Sequence, residues 1–372
     1  MKSIISIVKC QDYDQQRVFQ ATKKALDLIG GINSFIKPQS KVLVKPNLLL
    51  AIEPETAVDT HPEVVRAVVK LLKEIQCHIY LGDGPNVWGN QIENLEGVYR
   101  RSGMKQICDE EGVELVNFDK RRWRKKFPLT TWLDHCDYLV SVPKFKTHSF
   151  TVFSGAIKNL FGLVCGTYKT ELHKQYFKRE DFSKMLVDIL EEVKPALTVI
   201  DGIISLEGDG PGTSGKPRHT GLLFAGQDCV ALDSILSVIM GLKADEILTT
   251  KEAAKRGLGI SDIKAIELKG ERLENVIQRL FKLPATSLKY RIPQPVVELA
   301  KKLIKYYPCV ERDNCTKCAS CIKACPTKAI SMQKKGIAFN YKKCIACFCC
   351  QEACSNAAIK TKKSILAKII GL

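Results

Sequence analysis

The chain has 372 residues, 45% of them hydrophobic and 26% charged, enough for two or three domains with a real core. No run approaches the apolar length of a transmembrane helix, and Ile4-Ile5-Ser6-Ile7-Val8 is too short for a signal-peptide core and reads as a first strand. The net charge of +17 is concentrated late, with 18 Lys and Arg against 4 Asp and Glu over residues 282–372. The aromatic and basic pattern of nucleic-acid recognition is missing there, so the tail points instead to an acidic redox partner or to peripheral contact with an anionic membrane surface.

In chain order, periods of two and 3.6 alternate. A strand at 4–8 leads to a helix at 15–29 that ends at Gly30-Gly31. The strand 42–44 runs into Lys45-Pro46-Asn47, and Pro62 opens a helix over 62–75. A strand at 78–81 ends in Gly82-Asp83-Gly84-Pro85, then come a helix over 99–111 and a strand over 113–118. Arg121, Arg122 and Arg124 around Trp123 interrupt the rhythm as a solvated hairpin or rim. The strand 137–142 leads into Lys144-Phe145-Lys146-Thr147-His148, and 154–164 reads as helical. A helix at 183–193, a strand at 197–200, a glycine-rich loop over 207–217 and a strand at 222–225 follow. Helices at 230–240 and 252–256 and a strand at 266–268 complete the alternation. The expected fold is α/β, a mostly parallel sheet with flanking helices over residues 1–283, plus a small α+β ferredoxin-like domain over 309–360. Residues 284–308, with four prolines and an amphipathic helix at 296–305, form the connector, and 361–372 a basic amphipathic tail.

Cys315, Cys318, Cys321 and Cys325-Pro326 are followed 29 residues later by Cys344, Cys347, Cys350 and Cys354. Two C-x2-C-x2-C-x3-C runs are the ligand pattern of a bacterial two-cluster [4Fe-4S] ferredoxin, in which the fourth cysteine of each run ligates the other cluster. The expected sets are Cys315, Cys318, Cys321 and Cys354 for one cluster, and Cys325, Cys344, Cys347 and Cys350 for the other. Cys349 is left as a free neighbour that tunes potential. Structural zinc would instead show paired C-x2-C knuckles, often with histidine. Eight thiolates that must stay reduced imply a reducing cytoplasm, and the scattered Cys10, Cys77, Cys108, Cys136, Cys165 and Cys229 read as small buried hydrophobes.

Ligands in open α/β sheets bind at the carboxyl ends of strands, and these ends are rich in chemistry here. Lys45 and Asn47 follow one strand, Asp83 another, and Asp201 a fourth. Between them Lys144, Lys146 and His148 share one side of an extended segment, a cationic surface suited to carboxylate or phosphate. Gly-Asp-Gly-Pro occurs at both 82–85 and 208–211, each copy supplying an aspartate in a glycine-freed turn. Neither G-x-G-x-x-G nor a P-loop is present.

Val42-Leu43-Val44-Lys45-Pro46-Asn47, Thr60-His61-Pro62-Glu63, Gly82-Asp83-Gly84-Pro85, Pro143–His148, Ile157-Lys158-Asn159-Leu160-Phe161-Gly162, Asp201-Gly202 and Glu207-Gly208 together resemble the domain-of-unknown-function 362 family. Asp228 and Ala231-Leu232-Asp233 extend the likeness over roughly residues 1–270, and some members look similar in carrying a terminal ferredoxin module. The resemblance implies one α/β domain with iron–sulfur binding and names no reaction.

The expected function is an iron–sulfur protein that relays low-potential electrons from two [4Fe-4S] clusters to a small anionic substrate or cofactor over the α/β domain. Lys144, Lys146, His148 and Asp83 are the candidate catalytic groups, and Lys45, Asn47, Lys158, Asn159 and Asp201 the candidate binding groups. Lys169 and His173 are further candidates. The alternatives are a non-enzymatic carrier or adaptor docking an acidic redox partner, and a cofactor or metal maturation factor.

Overall fold

In the computed structural model, which describes residues 3–85, 95–287 and 305–364, the alternating elements assemble into one ten-stranded sheet. In chain order the strands are β1 (Ser3–Lys9), β2 (Lys41–Pro46), β3 (His78–Leu81), β4 (Glu114–Leu115), β5 (Arg121–Arg124), β6 (Phe127–Thr130), β7 (Tyr138–Val142), β8 (Lys144–His148), β9 (Val152–Ser154), β10 (Leu197–Gly208), β11 (Gly215–Gly226) and β12 (Ile266–Gly270). The main sheet runs β12-β1-β11-β10-β7-β2-β3-β4, with β8 beside the far half of β10 and β9 beside β8; β5 and β6 form a separate hairpin. Pairing is parallel except for β11 against β1 and β10, and β9 against β8.

The sheet is buried on both faces because its strands alternate apolar residues between two cores. Val42 and Val44 of β2 join one core, and Leu43 the other. In β11, Leu222 and Phe224 face one side while Leu223 and Ala225 face the opposite one. Helices Gln15–Asp27, Pro62–Glu74 and Met104–Glu111 cover the first side, and Arg179–Val193 with Cys229–Ile239 the second. Pro62 at the first helical position and the His61 ring, which accepts from Glu63 N, start the second of these helices next to the strand ends.

Four of the elements expected in the α/β domain need correction. Residues 154–164 are not one helix: β9 ends at Ser154, a single turn spans Ala156–Asn159 and a 3-10 turn spans Leu160–Leu163. The break sits at Gly155, where a Cβ would lie 2.2 Å from Asp233 Oδ1. The expected loop 207–217 is the tip of a long β10–β11 hairpin, so the strand seen as 197–200 runs to Gly208. Helix 99–111 is two helices, Leu95–Arg101 and Met104–Glu111, parted at Gly103 with φ +78°. The strand expected over 113–118 retains only β4, since just Glu114 and Leu115 pair with β3.

The smaller module is built from β13 (Tyr306–Val310), β14 (Ile330–Gln333), β15 (Gly336–Phe339) and β16 (Ile359–Lys363), with short helices Ser320–Lys323 and Cys349–Glu352. Residues 306–308, expected as connector, and 361–363, expected as tail, pair with each other as β13 and β16 and so belong to the module. The connector helix at 296–305, apart from Lys305, and most of the tail lie outside the described residues. Among the described residues no helix is long and apolar enough to cross a membrane.

Candidate functional site

The cysteine repeat is written into the backbone. Left-handed residues Lys317, Ala319 and Lys328 of the first half recur as Ala346, Phe348 and Ala357 of the second, each 29 positions on. These turns curl each run around its cysteines. Cys315, Cys318, Cys321 and Cys354 line one cavity. Burial and the neighbouring Cys354, Cys318 and Cys315 push the Cys321 thiol up to about 12. Cys350 is raised by burial and by Cys347, Cys344, Cys321 and Cys325, so the second set also converges. Ala329 N donates to Cys325 Sγ at 3.1 Å and Ala358 N to Cys354 Sγ at 3.2 Å, the same bond in each half. Such N–H···S bonds stabilise thiolate charge. Among the described residues no three Cys, His, Asp or Glu gather closely enough for a single metal ion. Four thiols around one cavity suit a cubane, where each binds a different iron.

The six remaining cysteines of the α/β domain are free and buried or half-buried, with burial pushing Cys10 to about 11 and Cys108 to about 12.

At the carboxyl ends of β2, β3 and β8, a small cavity of about 50 Å³ is lined by Asn47, Asp83, Lys146, His148, Lys158, Asn159, Lys169 and, from the ferredoxin module, Glu352. Seven sequence candidates therefore share one pocket. Its floor is a satisfied ion pair. Lys45 Nζ lies 2.7 Å from Asp83 Oδ1 and donates to Pro46 O and Asn159 Oδ1, which uses all three of its protons. Asp83 also accepts from Leu48 N and Gly84 N. Gly162 passes so close that a Cβ would sit 2.3 Å from Asp83 Oδ1 and 2.5 Å from Lys45 Nζ. Lys45 and Asn159 thus hold the floor together, with no donor of Lys45 left for a ligand.

The walls are less complete. Lys158 has no hydrogen-bond partner among the described residues and lies 5.8 Å from the Phe161 ring centroid. Burial lowers its pKa. Burial likewise pulls Lys169 down to about 8, and its ammonium donates to Gly84 O. Lys146, also lowered to about 8 by burial, donates to Val58 O. His148 Nδ1 accepts from Phe150 N at 3.0 Å, which puts the ring hydrogen on Nε2. That atom lies 3.1 Å from Glu352 Oε1, within hydrogen-bonding distance. Burial, reinforced by Lys158, drives His148 down to about 3, so the ring is neutral. Glu352 is held below the usual carboxylate range: burial opposes this, and His148 and Lys158 prevail. Asn47 Oδ1 is unpartnered.

The structure separates two predicted residues from this pocket. Lys144 and Asp201 are fully buried and 2.8 Å apart, with Tyr13 OH within 2.8 Å of each; His61 N closes the carboxylate at 2.9 Å. Tyr13 stacks on His61 with centroids 3.5 Å apart. Lys144, Lys146 and His148 do share one side of β8, but as buried groups and not as an open cationic surface. Of the two aspartate turns, Asp83 lies in the pocket while Asp209 accepts from Ala285 N at the hairpin tip. His173 stacks on Phe182 beneath the site, its ring pushed to about 4 by burial. Glu352 is the residue that sequence reasoning missed. Its signal was present: it is one of three acids among residues 305–364, and it stands where the first repeat has Lys323.

Residues 42–237 match the model of a domain of unknown function, DUF362, and 307–355 match that of a 4Fe-4S dicluster domain. The chain belongs to the DUF362 family. A "thylakoid-associated protein" of Synechocystis sp. is 31% identical over 272 residues, covering 71% of this chain and 82% of that protein. Among solved structures, the lactate racemase apoprotein from Thermoanaerobacterium thermosaccharolyticum aligns at TM-score 0.40 and 13% identity, over 69% of this chain. A Thermotoga maritima protein aligns at TM-score 0.37 and 13% identity, over 67% of this chain. The chain spans 56% and 60% of the lengths of these two structures. This family member is thus an iron–sulfur protein of the ferredoxin type fused to an α/β domain.

Proposed function

We propose that this protein passes low-potential electrons from two [4Fe-4S] clusters to a small anionic substrate or cofactor bound at the strand-end pocket. The observation that carries the reading is Glu352. It lies two residues from both Cys350 and Cys354, and it lines the same cavity as Lys158, Lys169, His148 and Asn47. The clusters, when bound, supply single electrons. Lys158 and Lys169 hold the anion, with little water to compete for their charge. Neutral His148 carries a hydrogen on Nε2 beside the ionised Glu352, a donor and an acceptor next to the bound group.

The test uses the full chain with reconstituted clusters, reduced by dithionite and mixed with a panel of small carboxylates and phosphate esters. One class re-oxidises the clusters, and Lys158→Ala slows that re-oxidation at least about tenfold while the cluster spectrum is unchanged. If no compound binds or accepts electrons and Lys158→Ala changes nothing, the reading fails and a carrier role without substrate replaces it.

A further inference from the structure

The two halves of the ferredoxin module are copies displaced by 29 residues, but they face different surroundings. The second-half helix Cys349–Glu352 is buried against the α/β domain. Glu352 meets His148, Gln351 Oε1 accepts from Ser149 Oγ at 3.0 Å, and hairpin residue Thr213 donates to Cys354 O at 2.6 Å. The first-half helix Ser320–Lys323 keeps the equivalent surface open. Cys318 is exposed where its counterpart Cys347 is buried, and Lys317 and Lys323 are exposed where Ala346 is half-covered and Glu352 buried. The sign of charge changes with the direction faced: an acid turned toward the lysines of the pocket, lysines turned toward solvent.

We infer that the open half, centred on Cys318 and flanked by Lys317 and Lys323, is the docking surface for an acidic one-electron carrier protein. Electrons enter through the thiol set Cys315, Cys318, Cys321 and Cys354, and leave toward the pocket through the set containing Cys347 and Cys350. The exit half of this statement rests on the function proposed above; the docking half does not. In each encounter the carrier loses one electron and the first thiol set's cluster gains it.

Charge distribution selects this surface over the other basic patch. On the β5–β6 hairpin, Arg122 and Arg124 are paired with Asp134, Lys125 with Glu192 and Lys126 with Asp188, so its charge is largely neutralised from within. Residues 305–364 carry twelve Lys and Arg against three acids. One acid, Glu352, is buried, and another, Glu311, lies by Lys360 and accepts from Asn314. Lys317, Lys323 and Lys328 form no ion pair among the described residues. Unpaired exposed charge of one sign beside an accessible redox centre speeds encounter with an oppositely charged carrier and is screened by salt.

The test uses the holoprotein and a strongly acidic plant-type ferredoxin as the probe. Binding of the oxidised pair is followed by titration calorimetry, and electron transfer from the reduced probe by stopped-flow absorbance, both at low and high salt. The wild type loses at least about tenfold in affinity and rate as salt rises. The double variant Lys317→Glu/Lys323→Glu shows a similar loss already at low salt and a flattened salt dependence, while dithionite reduces it as fast as the wild type. Arg121→Glu/Arg122→Glu behaves as wild type. The assignment is overturned if the first pair of changes leaves affinity and rate intact, or if the hairpin variant carries the loss. It is equally overturned if the first pair abolishes binding to phosphatidylglycerol vesicles without affecting the carrier, which would make the face a membrane contact. A pocket without substrate chemistry but with carrier docking intact would sink only the exit half.

Discussion

A lysine at a strand end in this protein does one of two things, and a carboxylate decides which. Lys45 and Lys144 each pair directly with a buried aspartate and are spent on structure; among the described residues Lys158 and Lys169 form no such close ion pair and remain for a ligand. That division was invisible in the sequence, where all four look alike, because the partners come from remote segments: Asp201 lies 57 residues from Lys144. What sequence did show is that the strand ends carry polar chemistry, since apolar alternation stops abruptly at Lys45, Asp83 and Lys144. The lowered pKa of Lys169 gives a pH dependence with a definite sign. Burial favours the neutral amine, so the cation persists below about 8 and is lost above it. Anion affinity is therefore flat on the acid side and falls, approaching tenfold per pH unit, as pH rises through about 8. Calorimetric titration of the ligand class found in the oxidation screen across this range checks it; affinity that stays level well beyond that point would remove Lys169 from the binding set.

At the scale of elements, the β10–β11 hairpin joins the two domains. Its tip reads in the sequence as a glycine-rich loop because glycine and proline punctuate it, yet both strands run past the sheet to reach the ferredoxin module. Thr213 there works in two directions, donating to Cys354 O at 2.6 Å and accepting from Ala357 N at 3.0 Å, while Ser214 donates to Ile359 O. The ferredoxin halves, by contrast, were legible almost in full, since ligand spacing is a local property and each run's curl follows from its own left-handed residues. Only their orientation was not. Thr213→Ala removes both bonds and leaves a partly buried carbonyl and amide to find other partners, at a cost of about 1–2 kcal/mol. Hydrogen exchange at residues 351–359 accelerates correspondingly while that of β2 and β7 does not change. Uniform acceleration throughout the chain would show that the hairpin supports the whole fold and not the junction.

Across the whole molecule, the junction depends on the metal. The module's main apolar cluster is built from Ile330, Ile337, Ala358 and Ile359 together with Cys321, Cys350 and Cys354, so cysteines and what they ligate stand in for much of a core. A module of that size with so few apolar side chains does not hold together when its clusters are stripped. The α/β domain has two large cores of its own and keeps its fold. Loosening of the helix Cys349–Glu352 then opens the wall in front of His148, now fully buried with its ring near 3. Exposed to water, the imidazole returns toward its ordinary range near 6.5, becoming nucleophilic and reachable at once. Diethylpyrocarbonate labelling read by mass spectrometry is the measurement: His148 is protected in the holoprotein and modified after iron is chelated. Exposed His78 and His135 react equally in both states and serve as internal controls. Protection of His148 that survives complete iron removal would mean that the pocket closes without the module, and that Glu352 is not its lid.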